Sequence, residues 1–289
     1  MQELKIGIGT SSIGRFLPYL GVEAGLFERE GIGVEIVNQL DEEKVVENIV
    51  DQVTPIGTPN TPSLIFSRLN GNDLVIIGGI LNRPAFYLVA NVNISSTGEL
   101  RGRKVGINQP RRMAGMMMLA LLRKWGIDSA NDLALVDLGL NDRSFEALRS
   151  GDLDAALLPP EKAFLAEADG FHLIADSLGL ESHWVPLATT RRFLAENQKL
   201  ATKIAMVYRD SIRLFQIDRG LACKTIEHQL PALGRKPQVI EKCYRVFAKL
   251  FEPTLKPSLN SLRAVLDEVA LQDMRAKELT PSSLVENLL

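Results

Sequence analysis

The 289-residue chain has only two cysteines and three histidines. So few cysteines cannot form a disulfide framework, and the scarcity of both residue types argues against a structural zinc site. The net charge is −2, from 33 Lys and Arg against 35 Asp and Glu, without the basic excess typical of nucleic-acid-binding proteins. Apolar runs of about 18 residues, the length of a transmembrane helix, are also missing. We therefore expect no metal, no cofactor, no nucleic-acid partner and no transmembrane segment.

What the chain does have is the composition of a folded globular protein, with 46% hydrophobic and 24% charged residues. Strand and helix patterns alternate through residues 1–90 and again through 91–188, which indicates an α/β fold with mostly parallel sheets. From residue 190 onward the patterns are almost entirely helical. We predict two lobes: lobe I is residues 1–90 plus 189–289, including the helical C-terminal region, and lobe II is residues 91–188.

Single elements follow from the same patterns. Residues 16–30 and 200–227 are each predicted to form one helix. Residues 55–62 are dense in proline, glycine and threonine and are predicted to form a loop. Residues 74–79 are entirely apolar, which is typical of a strand buried on both faces of a sheet.

Four segments carry a resemblance to a known family. They are residues 17–35 (LPYLGVEAGLFEREGIGVE), 98–106 (GELRGRKVG), 121–127 (LLRKWGI) and 147–156 (ALRSGDLDAA). In order and spacing they are similar to motifs of the periplasmic-binding-protein type II superfamily, in its NMT1/THI5-like branch, which serves nitrate, sulfonate, taurine and thiamine-precursor ABC transporters. The resemblance covers about residues 4–190.

This resemblance implies a two-lobed α/β fold with a central cleft and a helical C-terminal region. It further implies a solute-binding protein that captures a small anionic or polar organic molecule between the lobes and delivers it to an ABC transporter permease. We expect a monomer. The chain departs from the family pattern at residues 50–57 and at Arg111 and Arg112, both in loops expected to face the ligand, so the ligand of any one relative cannot be transferred to it.

Ligands of two-lobed α/β proteins bind at the carboxyl ends of strands, so the residues that follow strands are the candidates for a site. The candidate ligand-binding residues are Ser11, Ser12, Thr58, Asn60, Asn82, Arg111, Arg112, Met113, Pro160 and His183. The two arginines are the strongest candidates, because a guanidinium group matches a carboxylate, sulfonate or phosphate. Arginine at the start of a helix is also electrostatically unfavourable without a counter-charge.

Most of these residues also have a purely structural interpretation. Ser11 and Ser12 are equally consistent with caps of the first helix, and Thr58 and Asn60 with stabilisation of a proline-rich turn. The arginines are consistent with solvent exposure or with pairing to nearby carboxylates. His183 is consistent with packing at the crossover between the lobes.

Three functions compete for this sequence: a solute-binding protein, a biosynthetic enzyme of the same fold, and a cytosolic ligand sensor. The first is preferred, and we expect no enzymatic activity, because two enzymatic relatives that the resemblance implies, a pyrimidine-precursor synthase of thiamine biosynthesis and an aromatic desulfinase, need cysteine or histidine early in the chain; menaquinone-pathway enzymes of this fold stay an alternative. The first 171 residues contain neither. No signal-peptide pattern precedes the first strand. We expect a periplasmic or extracytoplasmic protein if a signal sequence or lipobox has been removed, and a cytoplasmic one otherwise.

Overall fold

The computed structural model describes residues 2–9, 12–139 and 141–289. The strands are β1 Gln2–Ile8, β2 Ile32–Asn38, β3 Ile56–Thr58, β4 Leu74–Leu81, β5 Tyr87–Ala90, β6 Lys104–Ile107, β7 Ala134–Asp137, β8 Ala155–Leu158, β9 His172–Asp176 and β10 Val185–Thr190. The helices are α1 Leu17–Glu23, α2 Leu26–Arg29, α3 Glu42–Val50, α4 Thr61–Leu69, α5 Met113–Lys124, α6 Asn141–Ser150, α7 Pro160–Ala168, α8 Arg191–Glu196, α9 Gln198–Ile217, α10 Arg219–Gln229, α11 Pro237–Leu250 and α12 Leu259–Ala270. Short 3₁₀ turns lie at Ile13–Arg15, Thr97–Leu100, Pro231–Leu233, Met274–Glu278 and Pro281–Leu284.

The chain divides into two compact units. The first unit is the chain up to Arg83 together with Glu181–Leu289, and the second is Pro84–Leu180. Both boundaries lie earlier than the divisions at 90 and 188 expected from the sequence. The reason is strand membership, since β5 pairs within the sheet of the second unit and β10 within that of the first. No helix of the described residues is both long and apolar enough to cross a membrane.

The sheet of the first unit has the strand order β2-β1-β3-β10-β4. Strands β1, β2 and β3 are parallel, whereas β10 runs antiparallel to both β3 and β4. Ile6 in β1 pairs with Ile36 and Ile56 on its two sides and is fully buried. This order places the carboxyl ends of β1, β3 and β4 at one edge of the sheet.

Residues 55–62, predicted as a loop, form a strand and the start of a helix. Ile56–Thr58 is the inner strand β3, and α4 begins at Thr61. A Cβ at Gly57 would lie 2.8 Å from the carbonyl oxygen of Gly7, so glycine permits this close pairing. The prediction was wrong because a strand of three residues between prolines is too short to show an alternating pattern.

Two predicted helices are each divided in the structure. Residues 16–30 form α1 and α2, which are separated at Gly25, where φ is 66° and glycine adopts the left-handed conformation without strain. Residues 200–227 fall in α9 and α10, which meet at Asp218. The Asp218 carboxylate caps α10 by accepting a hydrogen bond from the Leu221 N–H at 2.9 Å.

Phe215 on α9 is the centre of an aromatic cluster in the first unit. Its ring centroid lies 5.5 Å from that of Phe16, 5.0 Å from that of Phe251 and 5.3 Å from that of Tyr244. Offset and edge-to-face contacts of this kind stabilise a core beyond the burial of the rings. Through this cluster the C-terminal helices pack onto the beginning of the chain.

The C-terminal region also covers the outer edge of β4. Gly79 donates its N–H to the carbonyl oxygen of Leu255 at 2.7 Å, and Glu252 donates to Ile80 at 3.1 Å. A Cβ at Gly79 would lie 2.7 Å from the Cα of Pro257, so glycine permits this close approach of two backbones. Covering an edge strand in this way prevents it from pairing with another chain.

The sheet of the second unit has the strand order β7-β6-β8-β5-β9. Strands β6, β7 and β8 are parallel, and β5 is antiparallel to β8 and β9. Val89, Phe145, Leu148 and Leu158 belong to its buried core. Because β6, β7 and β8 are followed by α5, α6 and α7, these three helices all begin at the same edge of the sheet.

Candidate functional site

The carboxyl-end edge of the sheet in the first unit carries several buried polar side chains. We call this edge the first strand-end surface, consisting of Ser12, Arg15, Glu42, Thr58, Asn60 and Asn82. Four of them are candidates from the sequence, and Arg15 and Glu42 are additions from the structure. The candidate Ser11 lies outside the described residues.

Arg15 and Glu42 form a buried ion pair. Arg15 Nη2 lies 2.8 Å from Glu42 Oε1, and the two side chains are only 4% and 6% exposed. The guanidinium group also donates from Nε to the carbonyl oxygen of Thr58 at 3.1 Å and from Nη1 to Ser12 Oγ at 3.4 Å. All three nitrogens of Arg15 therefore have acceptors within the first unit.

Sequence reasoning missed this pair. Arg15 is separated from Glu42 by a strand and two helices, and Glu42 is followed directly by the exposed Glu43, which looks the same in sequence. The sequence held one signal, the glycine at position 9. A Cβ at Gly9 would lie 2.5 Å from Glu42 Oε1, so glycine leaves room for the Glu42 carboxylate. A glycine at the end of a strand is typical of a close approach by another group.

Asn60 has the structural role that the sequence left open. Its Oδ1 accepts a hydrogen bond from the Ser63 N–H at 2.9 Å and caps α4, as asparagine commonly does at this position. A contact between Asn60 and a ligand stays a prediction.

Asn82 is half-buried and holds the C-terminal region against the end of β4. Its Nδ2 donates to the carbonyl oxygen of Lys256 at 2.9 Å, and its Oδ1 accepts from the Ser258 N–H at 2.8 Å. Both ends of the amide are therefore engaged within the first unit, and the structure shows a backbone-positioning role for this residue.

His183 is fully buried in the first unit. Its Nδ1 lies 2.8 Å from Thr61 Oγ1, and its backbone N–H donates to the carbonyl oxygen of Ser261 at 3.1 Å. Thr61 is itself fully buried. The imidazole is thus part of the packing between β10, α4 and α12, which matches the structural interpretation of this residue.

The stability of the protein is expected to fall below pH 6.5 because of His183. Burial lowers the pKa of His183 from 6.5 to about 3, so between these values the unfolded chain binds a proton that the folded protein excludes. The stabilising contribution is complete above pH 6.5 and declines as the pH falls toward 3, by up to about 1.4 kcal/mol per pH unit. Urea unfolding at pH 7, 6 and 5, followed by circular dichroism, measures this slope.

The control for this prediction is a histidine at an exposed position. His183→Gln keeps a polar group beside Thr61 but does not titrate, and its stability should depend less steeply on pH. His228→Gln, at a side chain that is 54% exposed, should retain the steeper wild-type dependence. Parallel pH profiles for the wild type and His183→Gln would contradict the assignment.

A small cavity adjoins the first strand-end surface beside Ser12. Its volume is about 30 Å³, and it is lined by Ile8, Ser12, Ile13, Phe16, Tyr19, Asn38, Ile226, Gln229 and Leu230. Such a volume holds about one or two water molecules. Partial burial raises the pKa of Tyr19 in this wall, so its hydroxyl group stays protonated.

The corresponding edge of the second unit is the second strand-end surface, consisting of Asn108, Arg111, Arg112, Met113, Asp137, Asn141 and Pro160. Arg111 is exposed, whereas Arg112 is buried and is the N-cap residue of α5. Met113 and Pro160 are buried in the first turns of α5 and α7. The two neighbouring arginines therefore differ in their access to solvent.

A hydrogen-bond network fixes the loop that carries these arginines. Asn108 contacts the Asn141 side chain, and its Oδ1 accepts from Ser144 Oγ at 2.7 Å. Asp137 Oδ1 accepts from the N–H groups of Gln109 at 3.0 Å and Gly139 at 2.9 Å. The ends of β6 and β7 are thereby held to each other and to the start of α6.

The chemistry of the second strand-end surface favours negatively charged or carbonyl groups. The N-termini of α5, α6 and α7 lie at one edge, and the positive ends of their helix dipoles attract anions. Arg111 and Arg112 add positive charge at the same edge. Among the described residues, no group of three or more His, Cys, Asp or Glu side chains is placed to hold a metal ion.

The two α/β units have the topology of a periplasmic-binding-protein fold, as the match to solved structures shows. The alkanesulfonate-binding protein SsuA from Xanthomonas axonopodis pv. citri, bound to MOPS, has 17% identity and a TM-score of 0.80, covering 99% of each chain. The periplasmic aliphatic sulphonate-binding protein SsuA from Escherichia coli has 18% identity and a TM-score of 0.78, covering 96% of this chain and 93% of that one. A Candida albicans gene product described as having the generic periplasmic binding protein fold has 11% identity and a TM-score of 0.73, covering 100% and 98%.

The family model described as NMT1/THI5 like matches residues 16–215, so the chain belongs to that family. This confirms the resemblance inferred from the four sequence motifs, and the solved structures confirm the fold class. No curated protein is significantly similar to the chain in sequence. The family and the fold together support a solute-binding role.

Proposed function

We propose that the chain binds a small polar organic molecule that carries an anionic group, and that it passes this molecule unchanged to an ABC transporter permease. The observation that carries the proposal is the second strand-end surface. There, the positive dipole ends of α5, α6 and α7 lie at the same edge of a sheet as the guanidinium groups of Arg111 and Arg112, whose N–H groups are donors. Carboxylates, sulfonates and phosphates match such donors.

The compared structures support the same class of ligand. The proteins from Xanthomonas axonopodis and Escherichia coli are named for alkanesulfonate and aliphatic sulphonate binding. We propose a sulfonate or carboxylate as the anionic group, a location outside the cytoplasmic membrane, and a monomeric protein whose partner is the permease.

We also propose that the chain is not an enzyme. Thr61 and His183 are within hydrogen-bonding distance, as a nucleophile and its base would be, but both are fully buried. A histidine with a pKa of about 3 is a weak base at neutral pH. Two of the compared structures are named as sulfonate-binding proteins, which favours binding over catalysis.

Isothermal titration calorimetry with ethanesulfonate, MOPS, nitrate, glutarate and glutaramate tests the proposed function. At least one probe is expected to bind, and Arg111→Ala or Arg112→Ala should weaken that binding about 10-fold or more, as expected for loss of a charge-assisted hydrogen bond. Arg123→Ala, in the last turn of the same helix α5, is the matched control and should change the affinity less than twofold. Absence of binding by every probe, with the protein folded, would count against a solute-binding function.

A further inference from the structure

The Arg15–Glu42 ion pair limits which chemical group of a ligand the first unit can bind. Arg15 is the buried cation of this surface, and its three nitrogens donate to Glu42, Ser12 and the Thr58 carbonyl oxygen. An anionic ligand group would have to displace the Glu42 carboxylate to use this charge. Separating a buried ion pair leaves an uncompensated charge and is strongly unfavourable.

Two side-chain oxygen atoms of the same surface are fully buried. Glu42 Oε2 and Thr58 Oγ1 have no hydrogen-bond partner among residues 2–9, 12–139 and 141–289. A carboxylate oxygen can only accept a hydrogen bond, whereas a threonine hydroxyl group can donate or accept. The group that satisfies Glu42 Oε2 must therefore be a hydrogen-bond donor, and an anionic oxygen there would be repelled.

The charged residues near Glu42 do not change this preference for a hydrogen-bond donor over an anionic oxygen. Asp41 and Glu43 flank Glu42 in sequence and carry the same negative charge. Arg83 follows β4 and is exposed, but β10 lies between β4 and β3, which places β4 about 10 Å from β3. The first strand-end surface thus offers a compensated cation together with an acceptor oxygen and a hydroxyl group.

We propose that Glu42 is a specificity-determining residue, which together with Thr58 selects a ligand end group with N–H donors, such as an amide or an amino-heterocycle, and excludes an anionic one. This inference rests on the proposed function and concerns only the end group that the first unit recognises. The first strand-end surface is thus assigned a preference for groups with N–H donors, and the second strand-end surface a preference for anionic groups.

Probes that differ only in the end group test the inference. Glutaramate and succinamate each carry one amide and one carboxylate, and glutarate and succinate replace the amide by a second carboxylate of nearly the same shape. In isothermal titration calorimetry, the amide probes are expected to bind the wild-type protein about 10-fold or more tightly than their dicarboxylate counterparts, because each relieves an unpaired buried acceptor.

Three variants separate the contribution of Glu42 from a general loss of binding. Glu42→Gln should reduce the preference for the amide to less than about twofold and strengthen dicarboxylate binding, since Arg15 is then uncompensated. Thr58→Val, which leaves the ion pair intact, should weaken amide binding about fivefold. Glu43→Gln, at the exposed neighbouring position, is the matched control and should leave both affinities unchanged.

The outcomes distinguish the two proposals. Tighter amide binding that is lost in Glu42→Gln and weakened in Thr58→Val supports the inference. Equal or tighter dicarboxylate binding by the wild type, or an amide preference retained in both variants, overturns it while leaving the solute-binding function standing. Absence of binding by all four probes and by the sulfonates counts against the proposed function itself.

Discussion

Replacing Arg15 by methionine is expected to lower the free energy of unfolding of the first unit by about 3–5 kcal/mol, the cost of leaving one member of a buried ion pair unpaired. Methionine fills a similar volume, so the loss arises from Glu42, which is 6% exposed and would retain a charge without its partner. The Thr58 carbonyl oxygen would also lose a donor. Urea unfolding followed by the fluorescence of the buried Trp184, in a Trp125→Phe background, measures the change.

An exposed ion pair of nearly the same length provides the control. Lys5 Nζ lies 2.9 Å from Glu35 Oε2, but the side chains are 53% and 61% exposed. Lys5→Met should therefore change the free energy of unfolding by less than about 1 kcal/mol. The double variant Arg15→Met with Glu42→Leu should recover most of the loss, because replacing both charges removes the buried unpaired group. Equal effects of Arg15→Met and Lys5→Met would show that the buried pair does not have this role.

Replacing Gly115 by alanine is expected to destabilise the second unit by about 3 kcal/mol or more, at the upper end of the range for overpacking. The added Cβ would lie 2.2 Å from the carbonyl oxygen of Asn108 and 2.3 Å from that of Gln109. Both are backbone atoms, so the clash cannot be relieved by a side-chain rotation. The loop that carries Arg111 and Arg112 must move, and anionic probes should bind more weakly. Thermal unfolding followed by Trp125 fluorescence, in a Trp184→Phe background, detects the loss of stability.

The matched control is a glycine of the same unit with space around it. A Cβ at Gly98 would meet nothing closer than Ser96 Oγ at 4.0 Å. Gly98→Ala is expected to change stability by no more than about 0.5 kcal/mol. If Gly115→Ala were as stable as Gly98→Ala, the close approach of the 108–109 backbone to α5 would not constrain this position.

The sequence predicted most strands and helices correctly, but it predicted less well where a helix is interrupted. Apolar periodicity indicated the strand at residues 74–79 and the helix that begins at Met113, and both are present. It missed the strand Ile56–Thr58, because three residues are too few for a pattern to appear. It also joined α1 to α2 and α9 to α10, since apolar periodicity continues across a single left-handed glycine or an aspartate cap.

The placement of the candidate residues at strand ends was predictable from the sequence, whereas their contacts were not. Because ligand-facing residues of parallel sheets follow strands, the sequence indicated Ser12, Thr58 and Arg112, and all three lie at strand ends. It could not indicate that both ends of the Asn82 amide are engaged, because those partners lie more than 170 positions away. The burial of His183 likewise depends on residues brought from distant parts of the chain.

By itself, the sequence determined the alternation of strands and helices, the scarcity of metal-binding residues and the membership of a family, because each is encoded in local periodicity or in short motifs. Only the tertiary structure decided that β10 enters the first sheet antiparallel and that Arg15 meets Glu42. The physical reason is that pairing and burial depend on residues far apart in the chain. Two charged residues that look like ordinary surface groups become a buried ion pair once the strand ends meet.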